Sequence, residues 1–571
     1  MHGWTGKIVI INLTDGKITN SKSDPDDLHS YIGGRGLGVK LYSDLISPNI
    51  DPLSPENILI FTTGPLTGTQ TPLSGRHVMV SKSPLTGTIF DSSSGGFFGK
   101  ELKFAGIDAI IIKGAADEHV YISILDDDIE IHPAKNLWGE NVRKCTDELS
   151  TKGRVACIGR AGERLVPIAN VMNDYFHACG RGGLGAVMGS KKLKAIVVKG
   201  TQKPAIADEE RFDKARAQAL GLIKATSGGL STYGTSAALN FMNYMKILPS
   251  ANFRKNEFID ASRVSGEFIK ENYDIKGHAC YNCTIACKHI IKSGVFEGYE
   301  IPEYETLWSF GPDNNNSDIE SIIKVNRLCN DYGIDTISTG STISAYAEIM
   351  REDVLELDEY VKKIGDNVGV GKELGKGSKV LSNSRGKDVS MQCKGLELPG
   401  YDPRGLLGMA LAYATSNRGG CHLRAYMAAP EILGKPKKVD RLTFSGKAEL
   451  VKIYQDETCV IDSLVLCKFA SFSIAKELFA ELLIAATGVD YSIEEFLKCG
   501  ERIWNLERIF NNKAGFTRKD DTLPERFFEK GGIDRNEFEK TLDEYYVQRG
   551  WDKFGMPSEE KLRELRVDLI P

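Results

Sequence analysis

The sequence predicts an α+β protein in which a β-rich N-terminal domain is followed by two mainly α-helical domains. Two observations carry that prediction: short β-branched runs bounded by Gly, Pro, Asp or Asn fill the first third, and helical spacing dominates from Glu209 onward. A third narrows it, because no period of roughly 20 to 50 residues recurs, which disfavours a solenoid or propeller. With 571 residues, 41% hydrophobic and 26% charged, the chain can bury several large cores without disulfide staples.

Taken in order, Lys7 to Leu13, Ile58 to Thr62, His77 to Ser81, Ala109 to Lys113, Val120 to Leu125 and Ala195 to Lys199 read as strands. The composition shifts around Thr201 to Asp208 (TQKPAIAD). Helical spacing then follows in Glu209 to Lys224, Asp318 to Asp331, Thr342 to Glu352, Leu355 to Ile364 and Ile493 to Asn511. Two prolines and a glycine interrupt the helices at Leu396 to Pro403. The expected division is 1–205, β-rich; 206–395, helical; and 396–571, helical.

A formal charge of -5, from 72 basic and 77 acidic residues without long runs of either sign, leaves no footprint for a nucleic-acid partner. The N-terminus lacks a basic start leading into an apolar stretch, and no run of 18 apolar residues occurs, so neither secretion nor a membrane span is expected. Clustered thiols in such a chain point to metal and a reducing, cytoplasmic location.

Those thiols are Cys280, Cys283 and Cys287, at C-x2-C-x3-C spacing in GHACYNCTIACKH. From one short loop they can converge on an iron–sulfur cubane, which needs one more cysteine, and Cys467 in IDSLVLCKF is the candidate. A structural zinc site using His278 or His289 is the alternative. The other eight cysteines, including Cys145, Cys157, Cys393 and Cys499, read as small buried apolar residues.

Glycine supplies 58 residues, an excess that usually brings backbone close to something. Three glycine loops, at 32–38, 92–99 and 180–190, bring backbone N–H groups together with Arg35, Arg76 and Arg181, where phosphates could sit. Neither familiar motif holds. GRGGLG follows MNDYFHAC, which does not read as a strand, and lacks a ribose-binding acid downstream; GGFFGK carries Glu101 where a Walker loop needs Ser or Thr. Three cradles together suggest a large phosphorylated cofactor, whereas any single one is equally a tight turn.

GRGGLGAVMGSKKLKAI, HACYNCTIAC, PEYETLW, YGIDTISTG, YATSNRGGCH and DSLVLC, six separated motifs in the order the family has them, resemble the tungsten-dependent aldehyde:ferredoxin oxidoreductases. The resemblance implies a β-rich base for a tungsten bis-pterin of the molybdopterin type, covered by two helical domains. Cys280, Cys283, Cys287 and Cys467 would hold a [4Fe–4S] cluster. Asp462, Asp335, Arg76, Gly95 and Arg181 would lie at the cofactor, and backbone carbonyls of Ser93 and Ala178 at a magnesium ion bridging the pterin phosphates. Asn330 stands where the family has an aspartate, keeping hydrogen bonding but losing charge. Glu305 and His422 match the pair beside the metal, as base and as donor to a reacting carbonyl, with Glu303 an alternative base.

The resemblance further implies oxidation of an aldehyde with electrons passed to ferredoxin or a small ferredoxin-like iron–sulfur subunit. Family members that dimerise around iron use a Glu-x-x-His pair, whose positions here are Lys324 and Arg327, so an iron-bridged homodimer is not expected. A thioester or aromatic-ring reductase subunit of the same family and a non-catalytic electron-transfer subunit are the competing readings.

Overall fold

The computed structural model describes residues 1–352 and 356–567. Its N-terminal part is two six-stranded sheets. The first contains β1 (Lys7–Asn12), β2 (Lys17–Lys22), β3 (Leu59–Thr62), β4 (His77–Lys82), β5 (Ile89–Ser94) and β6 (Ala109–Lys113), in the order β2-β1-β6-β3-β4-β5. The second contains β7 (Val120–Leu125), β8 (Asp128–Pro133), β9 (Arg154–Cys157), β10 (Val171–Asn173), β11 (His177–Cys179) and β12 (Leu193–Lys199), in the order β11-β10-β9-β12-β7-β8.

Side-chain alternation explains the layering. Along β6, Ala109 and Ile111 enter the core shared with the helices, whereas Ile110 and Ile112 enter a core shared with the second sheet. Ile8 and Val9 on β1 divide in the same way. The first sheet is therefore buried on both faces, which accounts for its uninterrupted apolar runs. The second sheet turns its other face, Tyr121, Val155, Cys157 and Val197, against the helix Val142–Leu149.

All six strands read from the sequence are present, with ends differing by a residue or two. The strands it did not show are those without a β-branched run, such as β2 (KITNSK, mostly exposed) and β5 (IFDSSS). MNDYFHAC corrects the sequence reading, because it contains the hairpin β10–β11. GRGGLG thus does run from strand to helix, into Leu184–Ser190, but β11 is an antiparallel edge strand, so no βαβ unit forms.

The loop at 32–38 is also corrected. Gly34–Leu45 is a helix, and its glycines permit close packing against the segment that carries Asp462. A Cβ at Gly36 would stand 2.1 Å from the Tyr31 carbonyl oxygen, 2.7 Å from Ile503 Cδ1 and 3.0 Å from Ser463 Oγ, and one at Gly34 only 2.5 Å from the Asp462 carbonyl oxygen. Gly36→Ala is accordingly expected to destabilise the protein by about 1–3 kcal/mol through overpacking, read as a lowered Tm with unchanged secondary structure.

Beyond residue 205 the structure is mainly helical. Glu209–Thr226, Ile319–Tyr332 and Ile493–Lys513 match the expected helices closely. Thr336–Met350 begins six residues before the expected Thr342, because Asp335 caps it by accepting from the Ile337 and Ser338 amides. Leu355 lies outside the described residues, and Leu357–Gly365 is helical. No described helix is long and apolar enough to cross a membrane.

Candidate functional site

The C-x2-C-x3-C segment is the loop of a hairpin between Ile275–His278 and Lys288–Ile291. Backbone bonds dock it on the N-terminal part. The Tyr281 amide donates to the Gly96 carbonyl at 3.1 Å, and Asn282 Nδ2 donates to the Gln70 and Thr71 carbonyls at 2.6 and 2.9 Å. Leu73, at φ 67°, joins two chains of the site: its N–H donates to the Asn282 carbonyl and its C=O accepts from the Cys467 amide. One residue thus registers Cys467 against the hairpin cysteines.

Cys280, Cys283, Cys287 and Cys467 are half-buried free thiols sharing one neighbourhood. Burial pushes the Cys280 thiol up to about 11, and raises Cys283 and Cys287 as well. Charge on Cys467 raises all three further. Burial that opposes ionisation of the three hairpin thiols fits a bound polynuclear cation, which would hold them as thiolates. Among the described residues no three His, Cys, Asp or Glu side chains converge closely enough for a single metal ion. Of the histidines in the zinc alternative, His289 Nε2 faces the Ser231 carbonyl at 3.1 Å.

Beside this loop lies a cavity lined by Arg76, Gly95, Ala178, Glu305, Asn330 and Asp335, all anticipated from the sequence. Gly95 is where backbone must pass closely: a Cβ would stand 3.0 Å from the Cys280 sulfur and 3.4 Å from both Arg76 Nη1 and His177 Nδ1. Arg76 Nη2 donates to the Ser93 carbonyl and hydroxyl, each at 3.0 Å, and β11, carrying Ala178, packs beside β5, carrying Ser93. Arg181 is engaged by protein instead: it reaches Asp335 at 3.1 Å and the carbonyls of Gly420 and Glu397 at 3.1 and 2.8 Å.

Glu303 immediately precedes the helix Tyr304–Phe310 without a side-chain capping bond, and Glu305 sits in its first turn. They differ sharply in partners. Glu303 accepts from Lys288 Nζ at 3.0 Å and from the Thr235 hydroxyl. Glu305 Oε2 accepts only the Gly400 amide at 2.9 Å, and buried Oε1 has no hydrogen-bond partner. Burial pushes Glu305 up to about 8, against the opposing pull of the Gly400 amide and Arg181. Its Oε1 is 3.6 Å from His422 Nε2. Burial and then the Arg181, Arg418 and Arg424 guanidiniums lower His422 to about 3, so the pair keeps its proton on the carboxyl at neutral pH. Tyr401 and Tyr426 wall His422, with ring centroids 5.3 and 5.9 Å away.

Asp462 lies in a buried charge cluster behind His422. It meets Arg424 Nη1 at 2.7 Å and Arg35 Nη1 at 3.3 Å, Arg35 is bound by Glu507 through Nε at 2.7 Å, and Asp91 meets Arg424 at 3.1 Å. Arg35 is thus occupied by carboxylates rather than open to a phosphate. The buried Nε–H groups of Arg418 and Arg424 have no hydrogen-bond partner among the described residues.

Sequence reasoning missed Cys421, Arg418 and Arg424. Cys421 corrects the reading of the remaining cysteines as apolar filler: Arg418 Nη2 donates to its sulfur at 3.0 Å. Burial raises that thiol, but the Arg418, Arg424 and Arg181 guanidiniums outweigh it and bring it down to about 7. The signal was present in SNRGGCHLR, where two arginines flank the cysteine three residues to either side.

These features define a class: proteins with a two-sheet base capped by helices over an internal cavity of arginines, carboxyls and thiols. Residues 8–200 match the family described as aldehyde ferredoxin oxidoreductase, N-terminal domain, and residues 214–567 match aldehyde ferredoxin oxidoreductase, domains 2 and 3. The chain belongs to the aldehyde ferredoxin oxidoreductase family. It is 41% identical to the tungsten-containing aldehyde ferredoxin oxidoreductases of Pyrococcus furiosus and Thermococcus kodakarensis, over 99% of each chain. It is 29% identical to the aliphatic sulfonate oxidoreductase WOR-like subunit of P. furiosus, over 99% of this chain and 97% of that one. The BamBC active-site complex of benzoyl coenzyme A reductase shares the fold, with a TM-score of 0.87 at 23% identity over 100% of this chain and 98% of that one.

Proposed function

We propose that this protein is a tungsten-pterin aldehyde oxidoreductase that converts aldehyde and water to carboxylate, protons and two electrons. The observation that carries the reading is Glu305. It is a buried carboxyl with one unpartnered oxygen and a raised pKa, set beside His422 in a chain that also brings four half-buried thiols into one neighbourhood. Such a group suits proton abstraction from water or a gem-diol.

The residues present fit the cofactors. Arg76 and the close-approach backbone at Gly95 suit phosphates, and the unpartnered Nε–H groups of Arg418 and Arg424 suit acceptors on a buried ligand. The carbonyls of Ser93 and Ala178 are the proposed ligands of a bridging magnesium ion, for which Ser93 would exchange the hydrogen bond that its carbonyl accepts from Arg76. Cys280, Cys283, Cys287 and Cys467 suit a [4Fe–4S] cluster. Bound there, the tungsten pterin would supply two-electron oxidation and the cluster single-electron exit. The protein's part is to hold the aldehyde near His422, keep bulk water out with Tyr401 and Tyr426, and take the proton at Glu305 Oε1. His422, neutral at working pH, orients oxygen by hydrogen bonding.

Ferredoxin or a small ferredoxin-like iron–sulfur subunit is the proposed acceptor, and the cytoplasm the proposed location. Lys324 and Arg327 face Glu320 and Asp331 on their own helix, which suits neither residue to an iron bridge between copies.

Elemental and pterin analysis of anaerobically purified native protein, with benzaldehyde and benzoyl-CoA assays, tests the reading. One tungsten and about four irons per chain with benzaldehyde oxidation are expected. Zinc alone, or benzoyl-CoA reduction without aldehyde oxidation, would overturn it.

A further inference from the structure

Glu300 lines the same cavity and is 3% exposed, yet among the described residues no cation lies within ion-pair distance of it. Its Oε1 accepts from the side-chain amides of Asn330 and, at 3.2 Å, Asn326. Its Oε2 is buried without a hydrogen-bond partner. Leaving a buried acceptor unmade is expensive, and a polar cavity beside it points to a ligand N–H as the missing donor. Asn330 presents its amide to Glu300, so the charge that an aspartate would bring to position 330 is carried instead by a neighbouring carboxyl.

We infer that Glu300 is the cavity's carboxyl acceptor for the N–H edge of a bound aminopyrimidine ring, with Asn326 and Asn330 as the positioning residues that turn Oε2 toward it. The inference rests on the proposed pterin occupancy. It goes beyond it by assigning a contact to a residue outside the motifs and a positioning role to Asn330.

The arrangement makes a specific prediction about Glu300→Gln. The two asparagine amides demand an oxygen at the Oε1 position, so the new NH2 group takes the place of Oε2 and faces the ring donor with another donor. Tungsten and pterin per chain should fall to about a tenth of wild type or less, as a donor–donor mismatch implies. Iron content and the Tm of the pterin-free protein should stay unchanged, which separates this from a folding defect. In Asn330→Asp/Glu300→Gln, the new carboxylate accepts from the glutamine NH2, and with the Asn326 amide rotated to accept as well, the glutamine turns over and restores an oxygen to the cavity. Loading should then recover. Wild-type loading in Glu300→Gln would overturn the inference, as would a loss that the double variant fails to recover. Pterin absent from the wild-type protein itself would instead remove the occupancy on which both readings stand.

Discussion

Glu305→Gln should retain tungsten, pterin and iron while losing aldehyde turnover by about 100-fold or more, the scale on which a positioned base contributes. The amide can still accept from the Gly400 N–H at the carboxyl's place, so the site keeps its shape. What disappears is the ionisation. The wild-type carboxyl, held up to about 8 by burial, is protonated below that pH and becomes a base above it. The wild-type kcat/KM should therefore rise toward pH 8 and level off, and the variant's residual rate should lack that rise. Stability gives an independent reading with its own sign. A carboxyl whose folded pKa lies above its unfolded value contributes most at low pH, and that contribution is lost as pH rises from the unfolded value through the folded one. The Tm of Glu305→Gln should gain on wild type between about pH 4.5 and 8 and hold a constant margin beyond. Unimpaired turnover would move the base to Glu303 or solvent. Glu303 is the weaker candidate because Lys288 and Thr235 already occupy both its oxygens.

The four inner strands of the first sheet were legible because burial on both faces writes continuous apolar runs such as AIIIK, whereas its edge strands β2 and β5 were not. β10 and β11 were not, since three-residue strands in a hairpin carry too few side chains for a pattern. The glycine loops show the limit of composition. The glycine of the second loop, Gly95, does bring backbone against Arg76 and Cys280, whereas those of the first admit a helix against the Asp462 segment. Both needs demand the same residue type, and only tertiary packing tells them apart. The hairpin cysteines were legible by spacing, and PEYE and GGCH by resemblance. Glu300 needed coordinates, because what marks it is an unpartnered polar atom in the interior, whereas Cys421 with its flanking Arg418 and Arg424 was marked in SNRGGCHLR and only their meeting had to be seen. Asn330 could be seen to depart from the family, but the carboxyl beside it comes from thirty positions earlier in the chain.

Cys467→Ala should abolish the cluster without unfolding the protein. The residue's structural duty is carried by its backbone, through the N–H that donates to Leu73, and alanine keeps that bond. Its thiol is half-buried and leaves only a small gap on removal, so Tm of the iron-free protein should fall by no more than a few degrees. Iron is the sensitive readout. With one of four ligands gone, iron should drop from about four per chain to a substoichiometric level, or to a three-iron species recognisable by EPR. Cys145→Ala provides the control, because that thiol packs in a separate core with Cys157 and should leave iron unaltered. Loss of iron from Cys467→Ala alone would make it the fourth ligand. Equal iron in both variants would leave the hairpin to complete its set elsewhere, and would detach the segment Asp462 to Cys467, a helix end and the turn after it, from the electron path. That segment is where the two centres would be coupled. Asp462 enters the arginine cluster behind His422, Cys467 faces the hairpin thiols, and only four residues of chain lie between them. A rigid span that short can fix the two centres' separation, whereas links through separate domains would let it vary.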